Sequence, residues 1–323
     1  MGRVMRRVVL WGVALLAGTA SALAYPDRPV TLVQQFAPGG GSDLVARPLG
    51  QALAEALGQP FVIENKPGAN GIIANQYVAA TRPDGYTLLF AAAGPMTAAP
   101  HLYDVLRIDP MTAFVPVALA VQTPYAILAN DSTDVTTLRG LLALAERRPG
   151  QLSYGTSGVG GAPHLAGELL TAATGARFLA VAYRGMGPAM TAVLGGEVTF
   201  AFADIGYAVP QVQAGRIKVL AVTGRRRSAL LPNVPTAEEA GAPGYHSGTW
   251  YGLFAPAGTP PAIIQQLNAT VNQVLARGLG QRFTEQGMEP ATGMTQEAFA
   301  AFVREDHARL GAVIRQAGIK LTE

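Results

Sequence analysis

The chain has 323 residues and no cysteine, so neither disulfides nor thiol chemistry contribute to its stability or function. Only four histidines are present and none forms an H-E-x-x-H motif, which leaves zinc hydrolysis without support. Beyond residue 24, no uninterrupted apolar run reaches the roughly 18 residues that a membrane span needs. We therefore expect a soluble protein that binds no metal or cofactor and is stabilised by burial alone.

The N-terminus has the pattern of a secretory signal peptide. Arg3, Arg6 and Arg7 precede an uncharged stretch over residues 8–17, and the small-x-small sequence ALA ends at residue 24. An uncleaved anchor is the alternative. Removal of residues 1–24 lowers the Lys+Arg count from 24 to 21, which equals the 21 Asp+Glu. The remaining chain is then formally neutral, and it has no basic stripe for nucleic acid.

Strand-like apolar runs alternate with helical patterns along the chain. This alternation predicts an α/β fold with largely parallel sheets covered on both faces. The runs occupy residues 30–33, 61–64, 87–90, 126–129, 178–183, 198–202, 217–222 and 251–254.

Three helices have clear sequence signals. Leucines 44, 49, 53 and 57 recur at helical spacing, and Gly58 ends that element. Thr259 is expected to cap a helix that has Pro260 at its first position. A final helix is expected to run from a Thr295 cap to a stop at Gly318.

Two glycine-rich turns are the most informative features. Residues 36–43 (FAPGGGSD) and residues 154–164 (YGTSGVGGAPH) each connect a strand-like run to a helix. Glycines let backbone N–H groups converge there, and the first helical turn adds free donors and a partial positive charge. Open α/β sheets bind ligands at such strand ends. We therefore expect the two turns to face one cleft and to hold the ends of a small carboxylate.

These two turns, together with further segments, make the chain resemble the Bug family of periplasmic solute receptors, which serve tripartite tricarboxylate transporters. The resemblance covers nearly all of the chain after residue 24. The matching segments are residues 25–30 (YPDRPV), 36–43, 64–69 (ENKPGA), 83–89 (PDGYTLL), 114–117 (FVPV), 164–168 (HLAGE), 183–185 (YRG), 195–198 (GGEV), 231–236 (LPNVPT), 239–241 (EAG) and 255–260 (APAGTP).

The resemblance implies a two-domain Venus-flytrap (type II) periplasmic binding protein in which each lobe is a sheet flanked by helices. Chain crossings near Pro124 and His246 would divide it into one lobe of residues 25–124 plus 247–323 and a second lobe of residues 125–246. A small organic acid would bind between the lobes of a monomer in the periplasm. Partners would be the membrane subunits of a tripartite tricarboxylate system, or a sensor domain if the receptor serves sensing.

The resemblance also implies the residues that hold the ligand, largely through backbone amides and small hydroxyls. Gly40, Gly41 and Ser42 would act from the first turn, and Thr156 and Ser157 from the second. Asp43 would cap or accept bonds beside the anion, since two carboxylates at close range repel. The remaining expected site residues are Phe36, Ala93, Tyr154, Gly161, His164, Tyr183, Arg184 and Asp204.

Several of these positions have a second interpretation. His164 fits a structural imidazole as well as a ligand donor, and Arg184 fits a solvated or hinge-side residue. Phe36, Tyr154, Tyr183 and Trp250 could line the apolar part of the ligand, and we expect two of the four to do so. Asp204 would favour an amino or hydroxyl group on the ligand. Gln34 and Gln35 stand where the family usually has an apolar residue and a proline.

Two other functional classes compete with a receptor. An exported hydrolase would use Ser157 and His164, but the string GTSGV lacks the last glycine of the G-x-S-x-G nucleophile elbow. A dinucleotide-binding domain would use Gly158 and Gly160, but Pro163 occupies the position of the third small residue.

Overall fold

The computed structural model describes residues 25–36, 38, 41–103, 106–130, 135–183 and 186–321. The predicted signal peptide and two expected site residues, Gly40 and Arg184, lie outside the described residues. No helix within these ranges is long and apolar enough to cross a membrane.

The elements alternate between strand and helix along most of the chain. The strands are β1 (Val30–Gln34), β2 (Phe61–Asn65), β3 (Thr87–Ala92), β4 (Phe114–Asn130), β5 (Ser153–Thr156), β6 (Leu179–Ala182), β7 (Phe200–Asp204), β8 (Ile217–Val222), β9 (Gly248–Pro256) and β10 (Glu289–Pro290). The helices are α1 (Gly41–Leu57), α2 (Ile72–Ala79), α3 (Ala99–Leu102), α4 (Pro110–Ala113), α5 (Leu138–Arg147), α6 (Ala162–Thr174), α7 (Met186–Leu194), α8 (Ile205–Gln213), α9 (Pro261–Val274), α10 (Gly280–Thr284) and α11 (Gln296–Ala317).

The strands pair in the order β2-β1-β3-β9-β4-β7-β5-β6, and β8 and β10 also pair with β4. Strands β1, β2 and β3 are parallel, as are β5, β6 and β7. The expectation of largely parallel sheets is nevertheless wrong. Strand β9 runs antiparallel to β3 and β4, and β4 runs antiparallel to β7 and β8. These two strands connect the parallel parts, so the described sheet is mixed.

Strand β4 changes partners halfway along its length. Its residues up to Pro124 pair with β9, and its residues from Tyr125 onward pair with β7 and β8. Pro124 lies opposite Gly248, so the two chain crossings are adjacent strands. This supports the predicted boundaries, which we retain as a proposal. Below, lobe 1 denotes residues 25–124 plus 247–323, and lobe 2 denotes residues 125–246.

Each lobe has its own apolar core. In lobe 1, helices α1 and α9 bury side chains such as Leu49 and Leu267 against the sheet. In lobe 2, Tyr154 packs among aromatic residues of β7 and side chains of α5 and α6. A smaller cluster joins the lobes, because Leu165 of α6 packs with side chains of α3 and α11.

The predicted helices are present with two local differences. The last helix is confirmed: the Thr295 hydroxyl accepts from the N–H of Ala298, and Gly318 ends the helix in the left-handed conformation. Thr259, however, does not cap α9, because its hydroxyl donates to the carbonyl of Pro256 at 2.8 Å. Helix α9 starts at Pro261 instead. Leu44 is 52% exposed and does not belong to the buried face of α1.

Candidate functional site

A cavity of about 410 Å³ lies between the two lobes, a volume within the range of small-molecule sites. Lobe 1 contributes the end of β3, the loop before α2 and the start of β9. Lobe 2 contributes the turn after β5 and the end of β7. The lining residues include Phe36, Asn70, Gly94, Pro95, Tyr103 and Tyr251 of lobe 1, and residues 157–163, Met186 and Asp204 of lobe 2. The structure thus brings Phe36 of the first glycine-rich turn and most of the second turn to one cavity.

The second turn presents the start of α6 to this cavity. Gly161 is the N-cap of α6, and Gly161 and Ala162 both line the cavity. The first turn of a helix leaves backbone N–H groups without intrahelical partners and carries a partial positive charge. Ser157 lines the same wall and offers a hydroxyl. This wall is therefore suited to an anion.

Thr156 shapes the turn from inside. Its hydroxyl accepts from the N–H of Gly158 at 3.0 Å and donates to the carbonyl of the same residue at 2.8 Å. Thr156 is only 1% exposed. Both hydrogen-bonding functions of this hydroxyl serve the backbone of the turn, and its contact with a ligand stays a prediction.

His164 has a structural role as well. Its Nδ1 accepts from the backbone N–H of Gly160 at 2.8 Å, which requires an unprotonated Nδ1. Nε2 lies 3.8 Å from Oε1 of Glu168, and burial lowers the pKa of the imidazole. A neutral ring with its proton on Nε2 satisfies both neighbours. Since both nitrogens face other groups, His164 is not positioned as a base for Ser157.

Three of the four candidate aromatic residues do not line the cavity. Tyr154 is fully buried, and its hydroxyl donates towards the carbonyl of His164 and Oε1 of Glu168, each at 3.1 Å. Trp250 is buried in lobe 1 and donates to Oδ2 of Asp306 at 3.0 Å. Tyr183 packs against the core of lobe 2. Of the four, Phe36 lines the cavity, so the expectation of two is wrong.

The first glycine-rich turn is supported by a buried polar network. The Ser42 hydroxyl donates to Oε1 of Gln34 at 2.5 Å, and Nε2 of Gln34 donates to Oδ1 of Asp43 at 2.6 Å. Arg47 donates to the other Asp43 oxygen at 2.9 Å. Ser42 and Asp43 are both buried. The Ser42 hydroxyl thus serves Gln34, and its contact with a ligand stays a prediction, whereas Asp43 is an acceptor, with Gln34 and Arg47 among its donors.

The neighbouring Gln35 extends this network across lobe 1. Its Oε1 accepts from the N–H of Ala92 at 2.8 Å, and its Nε2 donates to Oδ1 of Asn75 at 2.6 Å. Gln35 is 1% exposed and Gln34 is fully buried. These two residues, which depart from the family pattern, fix the backbone from which the first turn leaves β1.

Gly41 and Ala93 lie at the margins of the cavity. Gly41 lines an adjoining cavity of about 570 Å³ together with Leu44, Asp204 and Tyr251. Ala93 is 5% exposed and lies between the lining residues Ala92 and Gly94. The side chain of Ala93 therefore contributes little surface to a ligand.

Asp204 lies at the junction of the two cavities, at the end of β7. It lines both of them. The carboxyl group is accessible to solvent, but protein surrounds it on the cleft walls, and this burial raises its pKa to about 6. Burial, and then the charge of Asp204, raise the pKa of Tyr125 and of Tyr251. The two neutral phenols and the carboxyl group thus share one polar region.

Sequence reasoning missed several lining residues. Asn70 has a φ of 48°, a left-handed conformation that asparagine tolerates better than most residues, and it precedes Gly71. This Asn-Gly pair was the available signal. Tyr103, Tyr125 and Tyr251 had none, because their exposure to the cavity depends on how distant strands pair.

Comparisons with known proteins agree with this architecture. Residues 45–319 match the family described as TctC, the tripartite tricarboxylate transporter family receptor. Protein BugT of Bordetella pertussis is 32% identical over 308 residues, which cover 95% of this chain and 94% of BugT.

Solved structures give the same result. The R. palustris protein Rpa4515 with adipate has a TM-score of 0.80 and 36% identity, and the match covers 92% of this chain and 100% of that one. The periplasmic binding protein BugD has a TM-score of 0.76 and 34% identity, with 92% and 100% covered. These matches confirm the predicted resemblance and the predicted two-lobed α/β fold of a periplasmic binding protein.

Proposed function

The chain belongs to the family of tripartite tricarboxylate transporter receptors, and from this membership we propose that it is a periplasmic solute-binding receptor. It captures a small carboxylate between its two lobes. The observation that carries the proposal is the cavity that the start of α6 and Ser157 share with Phe36 and Asn70 of the opposite lobe. The adipate in the similar R. palustris structure supports a carboxylate as the ligand class.

The cavity wall determines how such a ligand is held. No Lys or Arg lines the cavity among the described residues, so there the carboxylate is stabilised by N–H and hydroxyl donors. A micromolar affinity requires about 8 kcal/mol of binding free energy. Hydrogen bonds to a charged group contribute about 1.5–3 kcal/mol each, and binding also costs ligand freedom. Three or four such bonds, drawn from both lobes, are needed, and this requirement explains closure of the lobes on the ligand.

The ligand class is tested by thermal unfolding of the purified protein with a panel of small molecules. A ligand that binds only the folded state must raise the melting temperature. We expect increases with one or more mono-, di- or tricarboxylates, and none with the corresponding neutral amides. A panel in which only dinucleotides or neutral solutes stabilise the protein would refute the proposal.

The binding wall is tested with two serine variants. Ser157→Ala removes a hydroxyl that lines the cavity, so loss of one charge-assisted bond of about 1.5–3 kcal/mol should weaken binding tenfold or more. Ser153→Ala is the matched control, because Ser153 is half-buried in β5 of the same β5–α6 segment. Calorimetric titration of both variants measures the difference. Equal affinities would place the anion on another wall.

The remaining assignments form part of the proposal. Gly41, Gly161 and Asp204 line the two cavities and are retained as ligand-binding residues. Gly40 and Arg184 are retained from the sequence alone. Residues 1–24 direct export, and the ligand-loaded receptor then delivers its cargo to the membrane subunits of a tripartite transporter or to a sensor. It acts as a monomer and catalyses no reaction, and the imidazole of His164, bonded to Gly160, supports the latter point.

A further inference from the structure

Asp204 is the acidic group that faces the ligand cavity most directly. It is the last residue of β7, and it is exposed whereas the preceding four residues are buried. It also occupies the N-cap position of α8, but its side chain accepts no hydrogen bond from an N–H of that helix. No hydrogen bond or ion pair joins its carboxyl group to any of the described residues. Its oxygens are therefore available to a bound molecule.

The groups around Asp204 come from both lobes. Tyr125 of β4 and Tyr251 of β9 are close enough for its charge to raise their pKa values. Gly41, at the start of α1, lies opposite, because a Cβ on Gly41 would be 4.0 Å from Oδ2 of Asp204. Glu285 is the other acidic residue among the described residues that line the adjoining cavity, and burial alone accounts for the raised pKa of Asp204.

The start of α1 is consequently a poorer anion site than the start of α6. Asp43 lies in the first turn of α1, and Asp204 faces the same turn from lobe 2. Asp204 offsets the partial positive charge of the helix terminus, whereas the charge of Asp43 is paired with that of Arg47 on the same helix. The first turn of α6, by contrast, contains no acidic residue. A ligand carboxylate is therefore favoured at α6 and repelled near Asp204.

We propose that Asp204 is a specificity-determining residue, which accepts a hydrogen bond from a hydroxyl or amino group of the ligand and excludes a second carboxylate. The preferred ligand is then a monocarboxylate that carries a hydrogen-bond donor, rather than a dicarboxylate of the same length. This inference rests on the proposed function, because it assumes that one carboxylate binds at α6.

The protonation of Asp204 should make the ligand selectivity depend on pH. Burial raises the pKa of this carboxyl group to about 6, so it is ionised at pH 8 and mostly protonated at pH 5.5. A protonated carboxyl group donates a hydrogen bond and carries no charge. Part of the dicarboxylate population also gains a proton at pH 5.5, whereas the hydroxy and amino acids stay largely ionised, so the contribution of Asp204 is the part of the pH effect that is lost when Asp204 is replaced. Dicarboxylates should therefore bind better at the lower pH.

The test uses calorimetric titration of the purified protein with two matched series. The four-carbon series is butanoate, 4-hydroxybutanoate, 4-aminobutanoate and succinate. The six-carbon series is hexanoate, 6-hydroxyhexanoate, 6-aminohexanoate and adipate. At pH 8, in the series that binds, we expect the hydroxy or amino acid to bind at least tenfold more tightly than the dicarboxylate. At pH 5.5 this ratio should fall to about threefold or less.

Asp204→Asn separates the charge of Asp204 from its shape. The amide keeps a hydrogen-bond acceptor, so the hydroxy acid should lose only severalfold in affinity, whereas the dicarboxylate should gain about tenfold at pH 8. The variant should also lose the part of the pH dependence that comes from Asp204, and keep only the part that comes from protonation of the dicarboxylate itself. Glu197→Gln, which changes an exposed carboxylate of lobe 2, is the control and should behave as the unmodified protein.

The outcomes distinguish the role of Asp204 from the receptor function. If dicarboxylates bind as tightly as their hydroxy analogues at pH 8, and Asp204→Asn leaves the ratio unchanged, the role of Asp204 is wrong while the receptor function stands. If no acid of either series binds at either pH and no other carboxylate raises the melting temperature in the thermal-unfolding panel, the proposed function itself fails. A melting temperature of Asp204→Asn within a few degrees of the unmodified protein establishes that the variant is folded.

Discussion

The contact between the two crossing strands depends on one glycine. Gly248 begins β9 opposite Pro124, with a φ of 153°. A Cβ at this position would lie 2.5 Å from the carbonyl oxygen of Thr123 and 3.0 Å from the Cα of Pro124. Both are backbone atoms of the paired strand and cannot rotate away. Gly248→Ala must therefore separate the strands that connect the lobes.

The cost of this substitution has two parts. Overpacking costs about 1–3 kcal/mol, and an L residue in this backbone region adds about 1–3 kcal/mol. With an unfolding entropy of about 2.1 cal/mol/K per residue over about 300 residues, 1 kcal/mol corresponds to about 1.6 °C. The melting temperature of Gly248→Ala should therefore fall by about 3–10 °C, and carboxylate affinity should fall because the lobes no longer align.

Gly278→Ala is the control for backbone strain alone. Gly278 has a φ of 127°, and a Cβ there would have no neighbouring atom within 4 Å. Scanning calorimetry of both variants, followed by titration with the best carboxylate, separates steric separation of the strands from strain. If Gly248→Ala melts within 1 °C of Gly278→Ala and binds normally, the crossing strands do not need their close approach.

Two further predictions concern groups whose pKa values are shifted. A raised pKa means that the contribution of Asp204 to stability is full below its unfolded value of 3.8 and is lost as the pH rises through about 6. Asp204→Asn should therefore stabilise the protein at pH 8 by about 1 kcal/mol, after allowance for solvent screening, but not at pH 4, as measured by urea unfolding. His164→Leu should destabilise by about 1–3 kcal/mol, because the buried N–H of Gly160 loses its acceptor. Burial lowers the pKa of His164, so its contribution to stability is present above about pH 6.5 and is lost as the pH falls. The difference in unfolding free energy between wild type and His164→Leu should therefore shrink at pH 5.5. An unchanged difference would contradict the assigned tautomer.

Local signals in the sequence predicted much of the fold. The Thr295 cap and the Gly318 stop define α11 because caps act within a single turn of helix. Glycine-rich turns at strand ends indicated the cavity, since parallel strands bring such ends to one edge. The antiparallel course of β4 and β9 escaped prediction, because strand direction depends on partners more than 100 residues away.

Side-chain orientation at the candidate site was harder to predict. Thr156 and Ser157 are adjacent small hydroxyl residues, yet one is buried in the turn and the other lines the cavity. The sequence alone does not show which of the two hydroxyls forms hydrogen bonds with the backbone of the turn. The orientation of Tyr154 was equally hard to predict. Its ring fits into the core because Gly167 approaches it closely, and a Cβ on Gly167 would lie 2.2 Å from the ring.

The contact between the lobes bears on how tightly the receptor holds its ligand. Leu165 of lobe 2 packs with Leu102, Leu310 and Ile314 of lobe 1, and a Cβ on Gly160 would lie 3.0 Å from Leu102. The glycine-rich turn before α6 is therefore supported, on the side away from the cavity, by side chains of lobe 1. A ligand's apparent affinity scales with the population of the binding-competent arrangement. We expect the apolar contact between the lobes to raise that population without touching the ligand. The proposal thus assigns affinity to the apolar cluster and ligand choice to Asp204, so substitutions in the cluster should change affinity for all ligands alike.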